Sequence, residues 1–136
     1  MARGNKRTST GPADLDRFRA KAAELGARRA EVISTASVVT APWVRFRCRF
    51  GCPMYGKRLS CPPRSPSWEE TRAILDSFDK AILIEGDMWK VTPIVAALER
   101  EIFLAGRYKA LGMGEGPCVL CDECALEEGC RFPYQM

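Results

Sequence analysis

The stretch GPCVLCDEC, residues 116–124, places three cysteines at successive three-residue steps along the chain. A loop with this spacing can wrap a compact inorganic object and offer it three sulfur ligands, as the ligand runs of iron–sulfur proteins do. One further cysteine follows within a few residues. The spacing therefore predicts a metal centre whose ligands are Cys118, Cys121, Cys124 and Cys130.

A second group of cysteines lies upstream, in the segment CRFGCPMYGKRLSCPP, residues 48–63. Its members are Cys48, Cys52 and Cys61, and with the downstream four they account for all seven cysteines of the chain. Cysteines that served only as small core residues would not be confined to two such groups. We therefore expect all seven to bind metal. We also expect Tyr55 and Lys57 to act on the bound cofactor through a hydrogen bond or positive charge, the alternative being an exposed turn.

The identity of the metal follows from the residues that the chain lacks as well as from those it has. There is no histidine, which excludes histidine-bearing zinc sites and histidine general bases. Structural zinc sites usually take their ligands from two well-separated pairs of cysteines, whereas three closely spaced thiols suit an iron–sulfur cube. The pattern favours [4Fe-4S] clusters, one or two, and leaves zinc as the alternative.

The downstream group departs in one respect from the ligand run of bacterial ferredoxins. In that run three residues separate the third and fourth cysteines, whereas five separate Cys124 from Cys130 here. Two partitions therefore remain open. The downstream four hold one cluster and the upstream three ligate a second with an open iron, or a cysteine such as Cys61 is exchanged between the groups.

Composition and charge limit the domain organisation and the cellular location that the chain can have. Residues 1–11 are basic and polar, and we expect them to be disordered, followed by a single cysteine-rich metal-binding domain over residues 12–136. The net charge is +4, and residues 32–68 contain six basic residues and no acidic one. This region compensates a negatively charged cluster, receives an anionic partner, or is a solvated strand face. We expect a cytoplasmic protein without membrane association or nucleic-acid binding.

Hydrophobic periodicity and capping residues predict a mixed fold. We expect an α/β or α+β fold in which helices pack on a small sheet and two cysteine-rich loops bind metal. Residues 44–50 alternate apolar and basic side chains, which predicts a strand with Cys48 on its inner face. The other predicted elements are a helix from Pro12 ended by Gly26, a loop over 51–66, a helix capped by Ser67, a buried strand over 81–84 and a helix from Thr92-Pro93.

The two cysteine blocks, with the closing residues Cys130-Arg131-Phe132-Pro133, resemble a predicted metal-binding protein family, domain of unknown function 2284. The similarity runs from about Ala27 to the last residue and implies metal binding through these cysteines, without a known reaction. Members of that family usually continue past the position of Pro133 into a block with another cysteine. The resemblance therefore implies that an eighth thiol is missing, and two explanations stay open: a natural short member of the family or a C-terminally truncated chain.

These observations predict a small electron carrier or cluster-bearing redox module that works with a redox partner protein. Two alternatives stay open. The first is an enzyme that binds its substrate at an open iron held by Cys48, Cys52 and Cys61. The second is a zinc-stabilised binding module with no redox role.

Overall fold

A computed structural model describes residues 12–133, which contain four α-helices and two strands. The strands pair antiparallel in a two-stranded sheet, so the fold is α+β, as the sequence predicts. The predicted disordered segment, residues 1–11, lies outside the described residues. The elements are α1 (Pro12–Glu24), β1 (Arg29–Ser34), α2 (Pro42–Gly51), α3 (Trp68–Asp76), β2 (Lys80–Glu85) and α4 (Val91–Leu104), with a short 3₁₀ helix at Thr35–Ser37.

The chain divides into two compact units. The first comprises the described residues up to Val32 together with Ile82–Gly114, and the second comprises Ile33–Ala81 together with the described residues from Glu115 onward. All seven cysteines belong to the second unit. The prediction that residues 12–136 form a single domain stays a prediction.

The first unit has its core between α1 and α4. Phe18 and Ala22 of α1 are buried against Leu98 of α4, because the apolar residues of both helices recur at helical spacing. Gly26 ends α1 with a positive φ of 106°, a left-handed conformation that glycine adopts without steric cost, so its predicted capping position is confirmed. Half-buried apolar side chains surround this core: Leu25, Ala27, Ala30, Ile82, Ile84 and Ile102.

Strand β2 contributes Ile82 and Ile84 to that core, whereas Leu83 between them is exposed. The predicted strand over 81–84 is therefore confirmed, but its predicted burial is wrong, because no residue of β2 is fully buried and only one face packs against the core. A two-stranded sheet with a helix core on one side leaves the alternate side chains in solvent. Helix α4 begins at Val91, one residue before the predicted start.

The second unit contains α3, whose start is set by the predicted capping box. The hydroxyl of Ser67 accepts a hydrogen bond from the Glu70 amide at 3.1 Å, and the Glu70 carboxylate accepts one from the Ser67 amide at 2.7 Å. Arg72 of α3 donates to the carbonyl oxygens of Thr35 and Val38, at 3.1 and 2.6 Å. These bonds hold the 3₁₀ segment against α3.

Helix α2 replaces the strand that the sequence predicts over residues 44–50, and that prediction is wrong. Pro42 occupies the first turn, where its fixed φ favours a helix. The aromatic residues of the segment also recur at helical spacing, at Trp43, Phe46 and Phe50. The segment therefore fits both the two-residue repeat of a strand and the 3.6-residue repeat of a helix. No residue of α2 is buried, which means that no sheet enforces the alternation. Cys48 is therefore a half-buried helical residue.

In the part of the chain that the structure describes, no helix combines the length and apolar character that crossing a membrane would require.

Candidate metal centre

The four downstream cysteines line one small cavity in the second unit. Its volume is about 10 Å³, the space of roughly one water molecule. The other residues of its wall are Arg58, Leu59, Leu120, Ala125, Arg131 and Phe132. All four thiols are half-buried. Cys118, Cys121, Cys124 and Cys130 are thus brought together around a common space, as their spacing predicts.

These thiols are not arranged as a single-ion site. Among residues 12–133, no three cysteine or carboxylate side chains are placed so that they could hold one metal ion. Residues 115–133 contain neither helix nor strand, so hydrogen bonds to other segments must position the loop. Since the enclosed volume is small, the walls must move apart before an object larger than one ion can enter.

Arg58 supplies part of that positioning. Its guanidinium donates hydrogen bonds to the carbonyl oxygens of Cys121 and Asp122, the second of them at 2.9 Å. Arginine suits this role because its planar fork presents several donors in fixed directions. The two contacts tie the upstream loop to the centre of the downstream cysteine run.

The two residues after Arg58 contact the same run. The Leu59 amide donates to the sulfur of Cys124 at 3.4 Å, and the hydroxyl of Ser60 accepts from the Cys118 amide at 3.0 Å. The tripeptide Arg58-Leu59-Ser60 therefore both positions the downstream loop and donates a hydrogen bond to one of its sulfurs.

The loop also stabilises itself at its far end. The Phe132 amide donates to the sulfur of Cys130 at 3.3 Å. Arg131 donates to the carbonyl oxygen of Glu123 at 3.5 Å and forms an ion pair with Glu128 at 3.8 Å. Cys130 is thus drawn towards the run 118–124 despite the five intervening residues.

The upstream cysteines form a second group. Cys48 lies in α2, Cys52 caps the end of that helix with its amide donating to the Cys48 carbonyl at 3.3 Å, and Cys61 lies in the loop that follows. Cys61 is only 8% exposed, whereas Cys52 is exposed.

Burial raises the pKa of the Cys61 thiol, and the charges of Cys52 and Cys48 act in the same direction, against a lowering effect from Ser60 and Arg58. When ionised, Cys52 and Cys48 thus disfavour the negative charge of Cys61. A bound cation would offset that repulsion, which is the electrostatic condition of a thiolate metal site.

Tyr55 and Lys57 do not line the cysteine cavity. Tyr55 is half-buried, and its amide donates to the carbonyl oxygen of Cys52 at 3.3 Å, while its side chain lies in a separate groove beside α2. Lys57 is exposed. Their predicted action on a cofactor stays a prediction.

The family is decided by the match of residues 31–136 to the family model described as "Predicted metal-binding protein (DUF2284)". The chain belongs to this family. The resemblance seen in the cysteine blocks is confirmed, and it carries predicted metal binding without specifying the metal. Neither the curated proteins nor the solved structures contain a match to the chain.

The donor set fits the metal binding that the family description states. Seven thiols, two of which accept a hydrogen bond from a backbone amide, provide soft ligands of the kind that iron–sulfur clusters and zinc prefer. The four downstream cysteines share one cavity, and the partition of the seven thiols between clusters stays a prediction. The assignment of each cysteine as a ligand stays a prediction.

Sequence reasoning missed the role of the tripeptide 58–60. Arg58 was counted only as one of several positive charges, although it makes side-chain hydrogen bonds across 63 and 64 positions of sequence. The one local signal was the position of this tripeptide, directly before Cys61. No periodicity or spacing rule connects that place with residues 118–124.

Proposed function

We propose that this chain binds a [4Fe-4S] cluster through Cys118, Cys121, Cys124 and Cys130 and acts as a small electron carrier or cluster-bearing redox module. The observation that carries this proposal is the common cavity of the four thiols. When bound, such a cluster supplies one-electron redox chemistry. The chain's own residues position the sulfurs and set the electrostatics around them.

The spacing of the thiols along the chain favours a cluster over a zinc ion. Structural zinc usually takes its ligands from two well-separated pairs of cysteines, whereas three thiols at three-residue steps suit the corners of a four-iron cube. The four thiols line one cavity. This common cavity and the sequence spacing together support the cluster.

Two positive side chains support the redox role. Arg58 and Arg131 both line the cavity with the cysteines. Positive charge near thiolate ligands stabilises the more negative, reduced state and so raises the reduction potential. The amide donors at Cys124 and Cys130 act in the same direction.

The exposed part of the ligand loop offers a contact for a redox partner protein. Val119 and Leu120 stand between two ligand cysteines, and both side chains are exposed. A partner that covered these apolar residues would approach the cluster closely. Electron transfer of this kind needs only a small and transient interface.

A second candidate function belongs to the upstream group. Cys48, Cys52 and Cys61 interact electrostatically, and Cys52 is exposed to solvent. A cluster held by three thiols would keep one iron without a protein ligand, and that iron could bind a substrate. This is the arrangement of an enzyme rather than of a carrier.

Single Cys→Ser variants, purified anaerobically, separate these functions. The carrier proposal expects iron to be lost in Cys121→Ser and Cys124→Ser, whereas Cys52→Ser keeps the downstream cluster. Loss of additional iron in Cys48→Ser, Cys52→Ser and Cys61→Ser supports the second site. A colourless protein with stoichiometric zinc, whose zinc is lost in the downstream variants, contradicts the redox proposal and favours a zinc-stabilised module.

A further inference from the structure

A groove beside α2 is separate from the cysteine cavity and shares no lining residue with it. Its volume is about 230 Å³. Its walls come from α2, from the loop that carries Tyr55 and from the first residue of α3. The lining residues are Pro42, Arg45, Phe46, Arg49, Tyr55 and Trp68.

Arg45 makes the groove a built feature and not a gap between loose segments. Its guanidinium donates to the carbonyl oxygens of Ser65 and Pro66, the first at 2.7 Å. These bonds join α2 to the segment that leads into α3. The arginine is half-buried, so it closes one side of the groove.

Arg49 brings a second positive charge to the same groove. It is exposed, and its guanidinium stands 5.5 Å from the centre of the Phe50 ring. Within residues 12–133 the structure shows no carboxylate paired with it. No acidic residue lines the groove, and none occurs anywhere between residues 32 and 68. The local field therefore attracts an anion.

Three aromatic side chains complete the walls. Phe46 is 62% exposed, and Tyr55 and Trp68 are half-buried. Aromatic faces bind planar rings by stacking, and arginine binds carboxylate or phosphate with paired donors. The groove combines both means of recognition within a volume below the 300–1,000 Å³ or so that is usual for a drug-sized ligand.

We propose that this groove binds a small planar aromatic anion, a single ring system that bears a carboxylate or a phosphate. The ring stacks against the side chains of Tyr55 and Trp68, and the anionic group pairs with Arg49. A dinucleotide would exceed the volume. The groove shares no lining residue with the cavity of the four downstream thiols, so the proposal does not rest on the redox role proposed above.

The direct test is calorimetric titration of the protein, as purified with its metal, with four compounds at low ionic strength. AMP combines a ring and a phosphate, benzoate combines a ring and a carboxylate, and adenosine and inorganic phosphate each supply one feature alone. We expect AMP or benzoate to bind at least about tenfold more tightly than either single-feature compound. Phenyl phosphate, which shares its ring with benzoate, then identifies whether the site prefers phosphate or carboxylate.

Two neighbouring arginines give a matched pair of variants. Arg49→Gln removes the charge that faces the groove, and Arg47→Gln removes an equal charge from the same helix at an exposed position that does not line it. We expect Arg49→Gln to weaken binding at least about tenfold and Arg47→Gln to leave it within about twofold. Phe46→Ala, at an exposed position, tests the aromatic wall without disturbing a buried core.

Three results would overturn the proposal. Equal affinity for phosphate and AMP would show a general anion patch, and equal affinity for adenosine and AMP would show stacking without charge. Absence of binding by both AMP and benzoate would show that the groove holds no such ligand. Helicity and metal content, measured on every variant, confirm that a lost affinity does not reflect a lost fold.

Discussion

At the scale of single residues, Arg58 joins the upstream loop to the downstream cysteine run. It is the side chain whose hydrogen bonds reach the backbone of Cys121 and Asp122. Hydrogen bonds from a charged donor contribute about 1.5–3 kcal/mol each when they are partly shielded from water. The order of the ligand loop should therefore depend on this one residue.

We predict that Arg58→Met releases bound metal faster than the wild-type protein does. Methionine keeps the apolar stem and removes both hydrogen bonds, so the loop loses at least about 3 kcal/mol of ordering free energy, roughly 150-fold in equilibrium. The measurement is the rate of metal loss to an excess of chelator under anaerobic conditions. Arg47→Met, at an exposed position of α2 that lines neither the cysteine cavity nor the groove, is the control. Equal rates in the two variants would refute a positioning role for Arg58.

Two upstream cysteines should differ in reactivity when the protein contains no metal. Cys52 is exposed and Cys61 is buried, and burial raises the pKa of Cys61. Because the thiolate is the reactive form, we predict that iodoacetamide modifies Cys52 first. Modification of Cys61 becomes fast only as the pH rises above the ordinary thiol range. Mass spectrometry of peptides after timed alkylation gives both rates, and similar rates at mildly alkaline pH would contradict the described environment.

The same pKa shift links folding to pH in the metal-free protein. A thiol whose pKa is higher in the folded than in the unfolded state stabilises the fold fully at low pH, and that contribution is lost as the pH rises through the folded pKa. Metal binding reverses this dependence because the metal replaces the proton. The metal-bound protein should therefore keep its stability at a pH where the metal-free protein loses it.

At the scale of elements, the packing of α1 on α4 holds the first unit together. Leu98 is 4% exposed and contacts Phe18 and Ala22, whereas Leu104 of the same helix is 65% exposed. We predict that Leu98→Ala lowers the free energy of unfolding by about 2–5 kcal/mol, through lost burial and the cavity left behind. Leu104→Ala should change it by less than about 1 kcal/mol. Urea denaturation of both variants measures the difference, and comparable effects would contradict this core.

The elements also show which sequence patterns were sufficient. The start of α3 and the end of α1 were predictable because Ser67, Glu70 and Gly26 act on residues within one turn of them. Helix α2 was not predictable in this way. Its apolar and basic residues alternate as in a strand, yet three of its aromatic residues also recur at helical spacing. Burial distinguishes the two-residue repeat of a strand from the 3.6-residue repeat of a helix only when one face of the segment is covered. No residue of α2 is buried.

At the scale of the whole molecule, the two cysteine groups were predictable and their surroundings were not. Spacing along the chain predicted that the four downstream thiols lie together, and they line one cavity. The family match to residues 31–136 confirmed metal binding as the family's predicted property. The contacts of Arg58 and Ser60 with the downstream run join residues about sixty positions apart. Such contacts depend on the path of the folded chain, which no local pattern specifies.

Metal binding should also change the order of the downstream loop. The thiols enclose about 10 Å³, so a cluster must separate the walls and then bridge them. Binding energy of this kind becomes folding energy. We predict that amide hydrogen exchange over residues 115–133 slows on metal binding, whereas exchange in the α1–α4 core stays unchanged. Equal protection of the loop with and without metal would contradict this coupling.

The most direct measurement of the central claim is the content of iron and acid-labile sulfide in the anaerobically purified protein, with its visible spectrum before and after dithionite. The account predicts about four iron and four sulfide for each cluster, and a broad visible absorbance that dithionite bleaches. The absorbance should fall sharply in Cys121→Ser. A colourless protein that contains zinc and no sulfide would contradict the account.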